Sequence, residues 1–126
     1  MSVLILSILI VVTFVCCFYG QNSKVNLYNP FLDAKLQIDS AVKASKKEGK
    51  HVLIQVGGNW CPWCIRLNKF YTEDFQLDSV LKANYILVHL NYSQENKNLE
   101  VLQTLEYPQR FGFPVMVILD GTGKRL

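Results

Sequence analysis

The sequence has few side chains that commonly bind metal ions, with four cysteines and two histidines among 126 residues. Two of the cysteines lie in an apolar N-terminal segment, and neither His51 nor His89 has ligand-like spacing with Cys61 and Cys64. Structural zinc normally needs four protein ligands. We therefore predict no metal centre. Half of a zinc site and an inert structural disulfide remain the alternatives for the Cys61–Cys64 pair.

An excess of charge of one sign is also missing, because the formal net charge is only +3. The four clustered lysines are typical of the solvated face of a helix rather than of a nucleic-acid patch. A phosphate-binding loop is absent, since Gly57-Gly58 is not followed by Lys-Ser or Lys-Thr. We therefore predict no nucleic-acid partner. The clustered lysines are Lys43, Lys46, Lys47 and Lys50.

The N-terminal segment lacks charge entirely, and residues 3–19 are almost all apolar. This run suits the core of a secretory signal or a short membrane anchor and is marginal for a full transmembrane helix. We predict that residues 1–20 are a signal peptide or membrane tether and that the protein is extracytoplasmic. In a bacterium it would be periplasmic, or anchored facing the periplasm. Lipidation of Cys16 or Cys17 is an alternative.

Without the leader, roughly 106 residues remain, which is enough for one domain with one core. We predict a polar linker at residues 21–30 and a single domain at residues 31–126. Its first helix is predicted at 31–48, with an apolar side, and Gly49 ends it. The apolar side comprises Phe31, Leu32, Leu36, Ile38, Ala41, Val42 and Ala44. Further helices are predicted at 74–82, with Val80 and Leu81 buried, and at 98–106.

The sequence Trp60-Cys61-Pro62-Trp63-Cys64 follows a predicted strand and opens a predicted helix. Residues 51–56 are apolar and β-branched, as in a buried parallel strand, and Gly57-Gly58-Asn59 breaks that run. Cys61 is therefore predicted in the first helical turn, with Cys64 one turn later on the same face. Pro62 suits that place, because amides of the first turn have no partner within the helix.

This position determines the predicted chemistry of the two cysteines. The amide groups and partial positive charge of a helix N-terminus favour the thiolate form of Cys61. We expect Cys61 to attack a substrate disulfide as the nucleophile. Cys64 then resolves the mixed disulfide by attacking Cys61. The redox-active Cys61–Cys64 pair is the only cofactor that we expect.

A second motif, at residues 107–114, ends in Phe113-Pro114 and precedes the strand-like residues 115–119 and the turn at 120–123. With the Cys-x-x-Cys motif, it makes residues 31–126 resemble the thioredoxin superfamily, in particular its secreted domains. The resemblance implies that the Phe113-Pro114 bond is cis and packs beside the cysteines. Pro114 and Phe113 would then shape the substrate groove. An ordinary trans proline at a strand start is the alternative.

The resemblance implies an α/β fold with a central mixed sheet and flanking helices. Residues 85–91 match its next strand, and we expect the 98–106 helix to form a right-handed crossover toward the 115–119 strand. Only three residues follow the final turn. We therefore expect a C-terminally truncated domain that lacks the closing strand and helix of the superfamily.

Two positions depart from thioredoxin itself. Gln55 stands where thioredoxin has an aspartate that accepts the proton of the resolving cysteine, and His89 stands in place of its lysine. A glutamine cannot take up a proton near neutral pH. Proton handling then depends on His89, on water or on the substrate. The alternative for His89 is a core or strand-end histidine without a role in the reaction.

The sequence therefore predicts an exported thiol–disulfide oxidoreductase that acts on cysteine-containing protein substrates and exchanges electrons with a redox partner protein. Trp60 and Trp63 would form an apolar rim around the cysteines. Two alternatives stay open: a binding or chaperone-like module with little turnover, and a dedicated electron-relay domain. The direction of exchange, as reductant, oxidant or isomerase, is also open.

Overall fold

The structure, a computed structural model, describes residues 26–126 and contains a three-stranded mixed sheet with helices on both faces. The strands are β1 (His51–Gly57), β2 (Tyr85–Asn91) and β3 (Val115–Leu119), in the order β2-β1-β3. The helices are α1 (Ala34–Glu48), α2 (Pro62–Glu73), α3 (Phe75–Asn84) and α4 (Leu99–Thr104), with a 3-10 helix at Pro108–Phe111. This architecture confirms the predicted mixed sheet with flanking helices.

Strand β1 is the centre of the sheet because it pairs with both neighbours. It runs parallel to β2, with Gln55 beside His89, and antiparallel to β3, with Gln55 beside Met116. The predicted crossover through the 98–106 helix is therefore wrong, because β3 is antiparallel to β1. The connection between parallel strands is the one through α2 and α3, from β1 to β2.

The alternation of β1 side chains separates the core from the cysteine site. Val52, Ile54 and Val56 point to one face and pack with buried residues of α1 and α4. Gln55 points to the other face, beneath α2. Helices α1 and α4 contribute Ala34, Ala41 and Leu102 to the core, and Leu105 joins them directly after α4.

Helix α1 begins three residues later than predicted. The side chain of Asp33 accepts a hydrogen bond from the Leu36 amide and caps the helix, and Gly49 ends it in the left-handed conformation at φ 66°. The predicted apolar side is wrong at its start, since Phe31 is 89% exposed and Leu36 is also exposed. Leu32 is exposed as well, because all three lie before or outside the core-facing stripe.

Helix α3 also lacks its predicted core contact at Val80, which is exposed. The side chain of Asp74 caps this helix by accepting from the amides of Gln76 and Leu77. After β3, Asp120 accepts from the Thr122 and Lys124 amides and closes the predicted turn. The chain then bridges back to Leu119 at Arg125.

The predicted leader at residues 1–20 lies outside the described residues. Within residues 26–126, no helix has the length and apolar character needed to cross a membrane.

Candidate active site

Cys61 and Cys64 form a disulfide at the start of α2, with their Cα atoms 5.3 Å apart. Cys61 is the residue immediately before the helix, and Pro62 occupies the first helical position. The prediction placed Cys61 inside the first turn, and the structure moves it to the cap because its backbone is extended. In this position its side chain can bind the free amides that begin the helix.

The Cys61 sulfur accepts a hydrogen bond from the Cys64 amide, with 3.2 Å between Sγ and N. This amide, together with the helix dipole, stabilises negative charge on Cys61. Within residues 26–126, no backbone amide donates a hydrogen bond to Cys64 Sγ. The two sulfurs are therefore in different electrostatic surroundings, which is what a nucleophile and a resolving cysteine require.

Both cysteines are buried. Cys61 is 4% exposed and Cys64 is fully buried. They form a small cluster with Tyr28, separate from the core between the sheet and α1. Of these two cysteines, Cys61 alone presents surface to solvent, because Cys64 lies beneath it.

The predicted rim residues do come together around Cys61. The Phe113-Pro114 bond is cis, as predicted, and Trp60 packs edge-on against Phe113 with ring centres 5.4 Å apart. Trp60 also donates from Nε1 to the backbone oxygen of Tyr92 at 2.6 Å, which fixes its ring. Trp63 is 66% exposed, with the Arg66 guanidinium 4.9 Å from its ring centre.

An open groove of about 420 Å³ lies between Trp63 and Pro114. Its lining is mainly apolar, and it joins the cis-proline segment to the exposed face of α2. The lining residues are Trp63, Arg66, Leu67, Phe70, Phe113 and Pro114. Trp63, Arg66 and Phe70 are exposed in this lining, whereas Leu67, Phe113 and Pro114 are half-buried.

Gln55 lies directly behind Cys64, as predicted, and is fully buried. Its Nε2 donates to the backbone oxygen of Cys64 at 3.0 Å and to the Tyr28 hydroxyl at 2.5 Å. Its Oε1 accepts from the Tyr71 hydroxyl at 2.7 Å. Every polar atom of this amide is therefore used, and Gln55 holds the first turn of α2 against β1 rather than exchanging a proton.

His89 is connected to this network through Tyr71 rather than through Cys64. Its Nε2 lies 3.1 Å from the Tyr71 hydroxyl and 3.0 Å from Asn68 Oδ1. Asn68 Oδ1 can only accept, and the Tyr71 hydrogen is given to Gln55, so Nε2 carries the hydrogen. Burial lowers the pKa of His89. The ring is thus a neutral donor within the fold.

Tyr28 is the site residue that sequence reasoning missed. It lies in the segment predicted as a linker, yet its side chain is fully buried against the cysteines. The side chain of Asn59 holds its backbone on both sides: Oδ1 accepts from the Tyr28 amide at 2.9 Å and Nδ2 donates to the Tyr28 oxygen at 2.7 Å. The available signal was the pair Leu27-Tyr28 in a polar stretch, because Leu27 packs on the same cluster.

Burial also determines the state of the two phenols beneath the disulfide. It raises the pKa of Tyr28 to about 12, although the hydrogen bond from Gln55 partly offsets this. Burial likewise raises the pKa of Tyr71, and the nearby Tyr28 adds to the effect. Both hydroxyls are therefore protonated at neutral pH.

Within residues 26–126, no group of three or more His, Cys, Asp or Glu side chains is placed to hold a metal ion.

A sequence model of the family described as Thioredoxin-like matches residues 33–121. The chain belongs to the thioredoxin-like family. This thioredoxin-like chain is similar to the crystal structure of a disulphide isomerase from Xylella fastidiosa Temecula1, with a TM-score of 0.74 and 28% identity, over 81% of this chain and 78% of that one. A search of curated proteins found no match.

A second solved structure, a DsbH oxidoreductase, aligns with the thioredoxin-like chain at a TM-score of 0.58 and 22% identity. The alignment covers 86% of this chain and 77% of the other. At this identity the likeness supports the fold alone. The family, the fold and the Cys61–Cys64 pair together place the protein in the general class of thiol–disulfide oxidoreductases.

Proposed function

We propose that the protein exchanges disulfides with cysteine-containing protein substrates, with Cys61 as nucleophile and Cys64 as resolving cysteine. The contact between Cys61 Sγ and the Cys64 amide supports this assignment most directly, because it favours thiolate at the one sulfur that reaches the surface. The similarity to a disulphide isomerase supports protein disulfides as the substrate class.

In the reducing direction, the Cys61 thiolate attacks one sulfur of the substrate disulfide. The other substrate sulfur leaves as a thiolate and takes a proton from water. Cys64 then loses its proton to solvent and attacks Cys61, which releases the second substrate sulfur. Two electrons pass to the substrate and the Cys61–Cys64 disulfide forms. A redox partner protein would restore the two thiols, and the reverse sequence oxidises a substrate.

The groove beside Pro114 would bind the apolar residues that flank the substrate disulfide, with Trp60 and Trp63 at its rim. The protein would work outside the cytoplasm, attached by or released from residues 1–20. The apolar character of residues 3–19 supports export, and a disulfide exchanger of secreted proteins needs an oxidising compartment. The pair itself would be the only redox group.

The test is the reduction of insulin by dithiothreitol, with turbidity as the measured quantity. We expect the wild-type protein to accelerate it and Cys61→Ser to abolish the acceleration. A glutathione-buffered titration should show one two-electron transition. A binding module would leave insulin reduction at the background rate and show no transition. A dedicated electron relay would show the transition but little insulin reduction.

A further inference from the structure

We propose that Tyr28 takes part in the exchange reaction: its hydroxyl donates a hydrogen bond to Cys64 Sγ once the disulfide opens, and so stabilises the thiolate that attacks Cys61. This inference rests on the proposed function and names an additional residue for it. Tyr28 enters the site from the segment before α1, outside the strand and helix that carry the cysteines.

The surroundings of Gly57 show that the Cys64 sulfur and the Tyr28 hydroxyl lie close together. A methyl group added there would lie 2.5 Å from Cys64 Sγ and 2.8 Å from the Tyr28 hydroxyl oxygen. The sulfur and the hydroxyl are therefore neighbours across one missing side chain, and only glycine leaves this space open. Tyr28 and Cys64 also belong to the same buried cluster. A bulky residue at position 57 would push them apart.

The Tyr28 hydroxyl can donate a hydrogen bond. Its oxygen accepts from Gln55 Nε2, and the other Nε2 hydrogen goes to the Cys64 backbone oxygen. Within residues 26–126, these bonds leave the hydrogen of Tyr28 itself without an acceptor. A disulfide sulfur accepts hydrogen bonds weakly, whereas a thiolate accepts them strongly. Opening the disulfide therefore creates the acceptor that the buried hydroxyl lacks.

Tyr28 acts as a donor and not as a base, because its phenol keeps its proton at neutral pH. The Cys64 thiol proton passes to solvent, Cys64 Sγ attacks Cys61 Sγ, and the bond from Cys61 to the substrate sulfur breaks. The substrate thiolate takes a proton from water, and the Tyr28 hydrogen stays on its oxygen throughout. The other titratable groups facing Tyr28 are Tyr71, which is linked to it through Gln55, and His89, whose ring packs edge-on at 5.6 Å.

The test uses the reduced full-length protein carrying Cys16→Ser and Cys17→Ser, so that Cys61 and Cys64 are its only thiols, and 5,5′-dithiobis(2-nitrobenzoate) as the probe disulfide. The first release of the yellow thiolate reports attack by Cys61, and the second reports resolution by Cys64. We expect Tyr28→Phe to slow the second release about three- to tenfold at pH 7, and to raise its pH midpoint by about one unit, with the first release unchanged.

Two matched variants control for loss of packing. Tyr85→Phe removes a hydroxyl on β2 away from the cysteines and should leave both releases unchanged. Tyr71→Phe loosens the same network but removes no donor to Cys64, so it should lower the melting temperature without moving the pH midpoint. An unchanged second release in Tyr28→Phe, or equal midpoint shifts in Tyr28→Phe and Tyr71→Phe, would overturn the inference. Absence of a second release from the wild type would instead contradict the proposed function.

A second measurement keeps Tyr28 in place, in case its variant does not fold. In Cys61→Ser protein that also carries Cys16→Ser and Cys17→Ser and is labelled with [13Cζ]tyrosine, Cys64 is the one remaining thiol. The Tyr28 resonance should shift as Cys64 ionises, at the same pH midpoint as the thiolate absorbance at 240 nm. The Tyr71 resonance, assigned by its loss in Tyr71→Phe, should shift less. A Tyr28 resonance that does not follow the thiolate would overturn the inference.

Discussion

Cys61 and Cys64 have the same chemical group but different surroundings. Cys61 has a helix amide on its sulfur and a small exposed surface, whereas Cys64 is enclosed by β1, α2 and Tyr28. Accessibility and thiolate character both favour Cys61 as the first attacker. The difference comes from one position along the chain, since Cys61 caps the helix and Cys64 lies in its first turn.

The first prediction follows from these two roles. Cys64→Ser should accumulate mixed disulfides between Cys61 and protein substrates, because the first attack survives and the resolving attack is lost. Non-reducing electrophoresis of the purified variant, incubated with an oxidised protein substrate, measures them. Cys61→Ser is the matched control and should form none. Trapping by Cys61→Ser alone would reverse the assigned order.

The second prediction concerns Gln55, whose side-chain amide donates two hydrogen bonds and accepts one. Gln55→Glu keeps the shape but removes donors to Tyr28 and to the Cys64 oxygen, so it should lower the free energy of unfolding by about 1–3 kcal/mol. Burial raises the pKa of the new acid, and the loss should therefore grow as pH rises above about 4.3. Urea unfolding measures this. Gln103→Glu, at an exposed position of α4, should change little, and equal losses would contradict the role of Gln55.

At the scale of single elements, the sequence predicted what depends on near neighbours. The apolar run of β1, the glycine stop of α1 and the cysteines at the start of α2 are local patterns, and all three were confirmed with small shifts at the ends. The start of α1 was wrong because Phe31 and Leu32 are apolar but precede the Asp33 cap. Periodicity cannot distinguish such residues from the first helical turn.

The parts that escaped prediction depend on contacts between distant residues. Gln55 and Tyr28 are 27 positions apart, and Tyr71 reaches Gln55 across 16 positions. No spacing rule relates a tyrosine in a polar segment to an amide on a strand. The cis Phe113-Pro114 bond was predicted only through resemblance to a family, since composition does not distinguish it from a trans bond.

The third prediction concerns the junction of α2 and α3. Asp74→Ala should lower the free energy of unfolding by about 1 kcal/mol, because it removes the side-chain acceptor for the amides of Gln76 and Leu77. Chemical denaturation measures the change. Asp39→Ala is the control, since its pairing with Lys35 is exposed and should contribute little. A loss in Asp39→Ala as large as in Asp74→Ala would contradict the cap.

At the scale of the whole molecule, the disulfide site is assembled from parts that are far apart in the chain. The cysteines come from α2, the amide from β1, the proline from the segment before β3, and Tyr28 from the segment before α1. Because these parts meet only when the whole chain is folded, global unfolding separates the groups that surround the disulfide. The free energy of unfolding is therefore sensitive to the state of those groups.

The fourth prediction uses this coupling through His89. Its pKa in the folded protein is lowered by burial, so the unfolded chain binds the proton more readily. The free energy of unfolding should be fully maintained above about pH 6.5 and should fall as pH decreases through that value. His89→Gln should flatten this fall between pH 7.5 and 5 in urea titrations. His51→Gln, at an exposed strand start, should retain it; the same slope in wild type and His89→Gln would contradict the prediction.

The two hydrogen bonds between the Asn59 side chain and the Tyr28 backbone have a consequence for any shortened version of this chain. The family match begins at residue 33, and a version trimmed to that boundary would keep all helices and strands of residues 26–126 while discarding Tyr28. Gln55 Nε2 would lose an acceptor, and Asn59 would lose both of its backbone partners. Such a trimmed protein would retain its cysteines beside a vacant space the size of a phenol ring. The part of the chain that keeps this site intact is therefore longer than the part that the family model matches.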